Sequence, residues 1–230
     1  MTDATTGLGL GKKPPRRVGL LGGSFNPAHS GHRHISLEAL KRLDLDAVWW
    51  LVSPQNPLKP ARGMGAFAQR LAAARAFARH PRIAVVDLEA RLGTRYTVDT
   101  LRALAARFPA TRFVWLMGAD ILPQLPRWKR WPEIFLRVPV AVFARPTYCH
   151  KGLASVAAQR FARARLPPAA ARRLAEMKPP AWAFFWVALE PSSGTALRTR
   201  LRGPVRGARN KNARVARNKS PARPARKNTR

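Results

Sequence analysis

Eleven consecutive residues, Gly22-Gly23-Ser24-Phe25-Asn26-Pro27-Ala28-His29-Ser30-Gly31-His32, combine two leading glycines, a proline and two imidazoles. Glycine lets a backbone approach a ligand closely, and Pro27 stiffens the turn. His29 and His32 stand three residues apart, a spacing that puts two rings on one helix face. The segment follows the apolar run Val18-Gly19-Leu20-Leu21, which reads as a buried strand, and leads into Ile35–Leu40, which reads as a helix. A strand, a glycine turn, two imidazoles and the unsatisfied N–H groups of a helix start make a candidate phosphate site. The segment does not end in Gly-Lys-Ser/Thr, so a P-loop does not fit it.

Further polar segments lie just past expected strands or at helix starts. Ser53-Pro54-Gln55-Asn56-Pro57-Leu58-Lys59 carries Lys59, which could reach a phosphate, and Asn56, which could hydrogen-bond one. Thr94-Arg95-Tyr96-Thr97 offers Thr97 as an N-cap. In Gly118-Ala119-Asp120 the carboxylate could accept from a ribose, help hold a metal-bound triphosphate, or cap a helix. Leu125–Glu133 sets Trp128 among basic residues, where an indole can stack on an aromatic ring. Ser193, Thr195 and Arg198 place hydroxyls and a guanidinium at another helix start, a second triphosphate candidate.

The elements that must position these residues alternate. Strands are expected at 18–21, 47–52, 83–86, 112–117, 138–143 and 182–189, and helices at 34–43, 66–79 and 97–108. A last helix would be capped by Ser193 or Thr195 and run to Leu201. Pro139 argues against a well-paired middle position for the fifth strand. Ala154–Met177 reads as two helices, or a helix and a loop, without assignable chemistry. Continuous apolar strands between helices imply an α/β fold: a Rossmann-like, doubly wound, mostly parallel sheet in a single domain. Ligands of such sheets lie beyond the carboxyl ends of the strands, where Gly22–His32 falls.

At 230 residues one core is the default. Residues 1–15 and the basic tail 203–230 lack apolar bulk and are expected to be flexible, leaving 16–202 as the folded domain. The formal charge is +32; the tail holds ten Lys or Arg and no acid, and the remainder is still at +22. Arg outnumbers Lys 33 to 10 amid abundant Ala, which fits a G+C-rich coding bias, and the charge would also attract anionic nucleotides. The same charge admits a rival reading, non-specific nucleic-acid binding through the tail, but no helix-turn-helix, zinc or aromatic single-strand signal accompanies it. One cysteine, Cys149, no membrane-length apolar run and no secretory leader lead to the expectation of a cytoplasmic protein.

The GGSFNPAHSGH segment resembles the signature of the HxGH nucleotidyltransferases. Taken with SPQNPLK, RYTVDTL, WLMGAD, RW, FARP and SSGTALR in that order, residues 17–202 resemble the bacterial nicotinate-nucleotide adenylyltransferase family. The resemblance implies adenylyl transfer from Mg²⁺-bound ATP to nicotinate mononucleotide, giving nicotinate adenine dinucleotide and pyrophosphate in NAD biosynthesis. It implies that His29, His32 and Arg198 act on the phosphates, and that Gly23, Ser24, Phe25, Ser193 and Thr195 help bind ATP. Gly118 and Asp120 would lie between the substrates. Trp128 would lie against the pyridine ring, with Asn56, Lys59, Thr97 and Arg145 near the nicotinate nucleotide's ribose and phosphate. Gly194 stands where the family has a second Ser. Backbone N–H groups beside Trp128 are expected to favour the acid over its amide. Nicotinamide-mononucleotide and phosphopantetheine adenylyltransferases remain as alternatives within the class.

Overall fold

The computed structural model describes residues 14–55, 58 and 62–188. The expected final helix, the tail, and Asn56, Lys59, Ser193, Thr195 and Arg198 lie outside the described residues. Seven strands form one sheet: β1 (Arg17–Gly23), β2 (Ala47–Val52), β3 (Ile83–Val86), β4 (Arg112–Gly118), β5 (Val140–Phe143), β6 (Arg165–Leu166) and β7 (Trp182–Phe185). Their order is β3-β2-β1-β4-β5-β7-β6, and every neighbouring pair is parallel. Connections run one way from β1 to β2 and β3 and the other way from β4 to β5. The order therefore reverses between β1 and β4, and a crevice opens beyond their carboxyl ends.

The helices are α1 (Ser30–Arg42), α2 (Phe67–Ala78), α3 (Leu88–Arg91), α4 (Thr97–Arg107), α5 (Pro132–Arg137), α6 (Cys149–Leu153) and α7 (Val156–Arg160). The strands are buried on both faces, as their unbroken apolar composition requires: Val48 through Val52 are fully covered, and so are Val140 through Phe143.

Several boundaries differ from expectation, each for a local reason. β1 extends through both glycines, because Gly22 and Gly23 pair with Leu51 and Val52. α1 begins at Ser30, not at residue 34, because His29 takes the extended N-cap conformation (φ −150°). Pro139 does not push its strand to an edge: β5 lies inside the sheet, between β4 and β7. The proline precedes the first ladder residue and contributes only its carbonyl, which accepts from Trp115 N–H at 2.9 Å. β7 ends at Phe185. The 154–177 segment adds the two-residue strand β6 to α7 and 3₁₀ turns.

Gly22 shows how tightly the first strand is fitted. A Cβ there would stand 2.5 Å from Cη2 of Trp115, a buried indole on the adjacent strand. Gly22→Ala is expected to cost about 1–3 kcal/mol through overpacking. The check is the urea midpoint, which should fall at unchanged slope; an unchanged midpoint would mean that the indole has room to move.

Candidate active site

The chain leaves β1 through Ser24 and turns sharply before α1. Phe25 adopts φ 46°, a left-handed conformation unfavourable for a bulky residue. Its burial offsets that strain: the ring is 1% exposed, stacks on Trp50 at 5.0 Å and meets the His32 ring at 4.5 Å. Phe25 thus supports the histidines from behind, leaving only its backbone for a ligand. His29 caps α1, and its N–H donates to His32 Nδ1 at 3.2 Å. The two rings lie 3.8 Å apart. With Nδ1 accepting, the neutral His32 ring carries its proton on Nε2 as a donor.

A cleft of about 690 Å³ covers the carboxyl ends of β1 and β4. Gly23, Ser24, His32, Gly118, Asp120, Thr97, Trp128 and Arg145 all line it. These eight residues, scattered from 23 to 145, are brought together by the strand reversal. Thr97 is the first residue of α4, and Tyr96, not Thr97, is its N-cap. Trp128 ends the 3₁₀ turn Leu122–Arg127 and is half-buried. Arg145 Nε lies 3.6 Å from Asp120 Oδ1. A Cβ on Gly118 would collide with both of these side chains, so glycine is what permits the pair. Asp120 Oδ1 and Ser24 Oγ are buried without a hydrogen-bond partner among the described residues, and a ligand entering the cleft would satisfy them.

The basic residues quoted beside Thr97 and Trp128, given no role from sequence, also line the cleft: Arg95, Arg127 and Lys129 add positive charge, and Lys129 Nζ stands 4.3 Å over the Tyr96 ring. One lining group was missed altogether. Glu89 on α3 lines the cleft at 6% exposure. Burial pushes its carboxyl up to about 7, against a hydrogen bond with Ser53 that pulls it down. The placement of α3 just past β3 was the one available signal, because a four-residue helix has no periodicity. Among the described residues no cluster of three or more His, Cys, Asp or Glu side chains is placed to hold a metal ion, and no helix is long and apolar enough to cross a membrane.

Residues 20–200 match the cytidylyltransferase-like family. A probable nicotinate-nucleotide adenylyltransferase of Cereibacter sphaeroides is 58% identical over 181 residues, spanning 79% of this chain and 96% of the relative. One from Parvibaculum lavamentivorans is 54% identical over 187 residues, 81% of this chain and 93% of the relative. The chain belongs to the nicotinate-nucleotide adenylyltransferase family. It is therefore a nucleotidyltransferase, and the activity first inferred from its motifs is the one its relatives are named for. Among solved structures, the nicotinic acid mononucleotide adenylyltransferase of Plasmodium falciparum, complexed with NaAD, shares the fold. Its TM-score is 0.59 at 14% identity, over 80% of this chain and 83% of that one.

Within this adenylyltransferase, Glu89 makes stability depend on pH. Its folded pKa, about 7, lies above the ordinary 4.5, so folding favours the protonated form. The resulting stability is fully present below about pH 4.5 and is lost as pH rises to about 7. The difference corresponds to on the order of 3 kcal/mol. Glu89→Gln should flatten the wild-type fall in urea stability between pH 5 and 8; parallel profiles would exclude Glu89 as its source.

Proposed function

We propose that this chain transfers the adenylyl group of ATP to nicotinate mononucleotide, with the triphosphate at the β1–α1 turn and the pyridine ring against Trp128. The observation that carries this reading is one cleft at the strand reversal that holds both the His32 helix start and the Thr97, Trp128 and Arg145 group. The volume, about 690 Å³, suits two nucleotides meeting at their phosphates.

The reaction asks for positioning and charge neutralisation. The nucleophile, a phosphate of nicotinate mononucleotide, is already an anion, so its attack on the α-phosphorus of ATP needs no general base. Its oxygen forms the new P–O bond as the bond to pyrophosphate breaks. His32 Nε2–H donates to a phosphoryl oxygen as negative charge builds, while His29 holds the His32 ring in orientation through the N-cap bond. The N–H groups at the start of α1 add a positive end for the same charge. Ser24 Oγ supplies a further donor. Asp120, paired with Arg145, presents a carboxylate oxygen to a ribose hydroxyl between the substrates. Ser193, Thr195 and Arg198 complete the triphosphate site in this reading. Magnesium enters as part of the Mg·ATP substrate, where it neutralises the triphosphate.

Selectivity rests on the opposite wall. Trp128 is expected to cover the pyridine face. Its backbone N–H donates to the Leu125 carbonyl at 2.8 Å and is not free for the carboxylate. Further donors for the carboxylate are offered at the start of α4, where the Thr97 and Val98 N–H groups precede the first helical hydrogen bond, from Asp99 N–H to the Tyr96 carbonyl. Donors there, with the cationic Arg95 and Lys129 close by, favour a carboxylate over a carboxamide, whose NH₂ would face other donors. Arg145, with Asn56 and Lys59, is assigned to the nucleotide's ribose and phosphate.

A coupled pyrophosphate-release assay with ATP and nicotinate mononucleotide, its amide or phosphopantetheine tests the function. The acid should turn over fastest, and His32→Ala should lower that turnover by on the order of a hundredfold. Turnover of phosphopantetheine alone would overturn the reading, and a His32→Ala enzyme within a few-fold of wild type would remove His32 from the mechanism.

Trp128→Ala should raise the KM for nicotinate mononucleotide about tenfold or more, since a stacked base is worth roughly 1–3 kcal/mol. The KM for ATP should move far less. A selective rise for ATP would reverse the assignment of the two substrates.

A further inference from the structure

Arg70, on α2, is 4% exposed, whereas the other described arginines mostly face solvent. No carboxylate lies within ion-pair distance of it among the described residues. Its donors go to backbone carbonyls instead. Nη1 donates to Ser24 O at 2.6 Å and to Ser53 O at 2.8 Å, Nη2 donates to Pro54 O at 2.7 Å, and Nε donates to Gly65 O at 2.9 Å. The four acceptors belong to two functional segments. Ser24 opens the phosphate turn. Ser53 and Pro54 begin the β2–α2 connection, and Gly65 lies near its end.

One planar guanidinium thus holds both feet of the β2–α2 loop against the phosphate turn. Asn26 adds a second strap, donating through Nδ2 to Gly63 O at 3.0 Å and accepting at Oδ1 from Gly65 N–H at 3.3 Å. Ser53 N–H closes the join by donating to Gly23 O at 2.9 Å. We propose that Arg70 is a positioning residue that sets the register between the ATP-phosphate turn and the β2–α2 loop, whose Ser53 and Leu58 line the cleft, and so between the two substrates. Only a forked, five-donor group can span acceptors spread over both segments. Burial lowers the pKa of this guanidinium from its ordinary value, and its donors replace the water it has lost. The inference rests on the adenylyl-transfer reading above, under which Ser24 faces ATP and the loop faces nicotinate mononucleotide.

The test is Arg70→Lys in the full chain, with ATP and nicotinate mononucleotide varied independently in the pyrophosphate-release assay. Lysine keeps the charge but has a single nitrogen and cannot bridge the two segments. The expected result is a tenfold or greater rise in KM for nicotinate mononucleotide with less than a threefold change for ATP, because α1 and β1 still hold the phosphate turn. The thermal midpoint should stay within a few degrees of wild type. A lowered midpoint with both KM values unchanged would make Arg70 merely structural and overturn the proposal, as would equal changes for the two nucleotides. Should Arg70→Lys fail to fold, Asn26→Ala carries the test, since it releases Gly63 and Gly65 while leaving the guanidinium in place. The same selective rise is expected, and an unchanged KM for nicotinate mononucleotide would overturn the proposal. Wild-type turnover is measured first: its absence would count against the functional reading and not against the role of Arg70.

Discussion

The turn from Gly23 to Ser30 buries Ser24, Phe25, Ala28 and His29, and buried backbone must find hydrogen bonds. That requirement organises the site. The Gly23 carbonyl is met by Ser53 N–H, the Ser24 carbonyl by Arg70, and the His29 N–H by His32 Nδ1. Behind them Trp50 Nε1 donates to Ser36 Oγ at 2.7 Å, and Ser36 Oγ donates to the His32 carbonyl at 2.9 Å. Phe25 fills the space between Trp50 and the histidines. The turn, α1, β2 and α2 are thereby joined through buried side chains. Catalysis by aligned donors needs that rigidity, since donors that must reorganise during the reaction lose most of their effect.

How much of this could be read from the sequence follows from what each residue does. The strands were legible because their two covered faces force unbroken apolar runs, Ala47–Val52 being the plainest. The glycine–histidine segment was legible because several uncommon requirements coincide in eleven residues. The start of α1 was not, because its cap is an imidazole instead of the Ser, Thr, Asp or Asn that usually marks a helix start. Pro139 was misleading for a geometrical reason: a proline one residue before a strand costs no ladder donor. β6 has two residues and carries no pattern at all. Arg70 was invisible, since its sequence setting, Phe67-Ala68-Gln69-Arg70-Leu71, reads like any solvated turn of helix. Only the folded chain brings the four carbonyls to it.

Charge gives a further view of the same economy. Nine of the 11 acidic residues are among those described, and eight of them pair with arginine. Arg17 spans Asp44 and Asp46 where β1 begins, Arg130 holds Asp99 on α4, and Arg137 holds Glu133 on α5. Arginine also acts on carbonyls: Arg82 donates to the Asp46 and Leu45 carbonyls, as Arg70 does at the site. Part of the basic excess is thus used in holding the fold, where a guanidinium's fork does what an ammonium cannot.

Glu89 is the described carboxylate that has no such partner, and it lies in the cleft. The walls around it carry Arg95, Arg127, Lys129 and Arg145, none of which forms an ion pair with it. A fully ionised Glu89 would repel the phosphates and carboxylate that those cations attract. Burial acts against this by holding the carboxyl near pH 7, so that a substantial fraction of it is neutral when the substrates approach. The cleft therefore presents a more positive face to anionic nucleotides than its count of ionisable groups suggests. Arg145 and Glu89 are the well-covered charges of that face, where salt screens least, while Arg95, Arg127 and Lys129 are solvent-exposed. The positive charge spread over the rest of the chain adds attraction at long range.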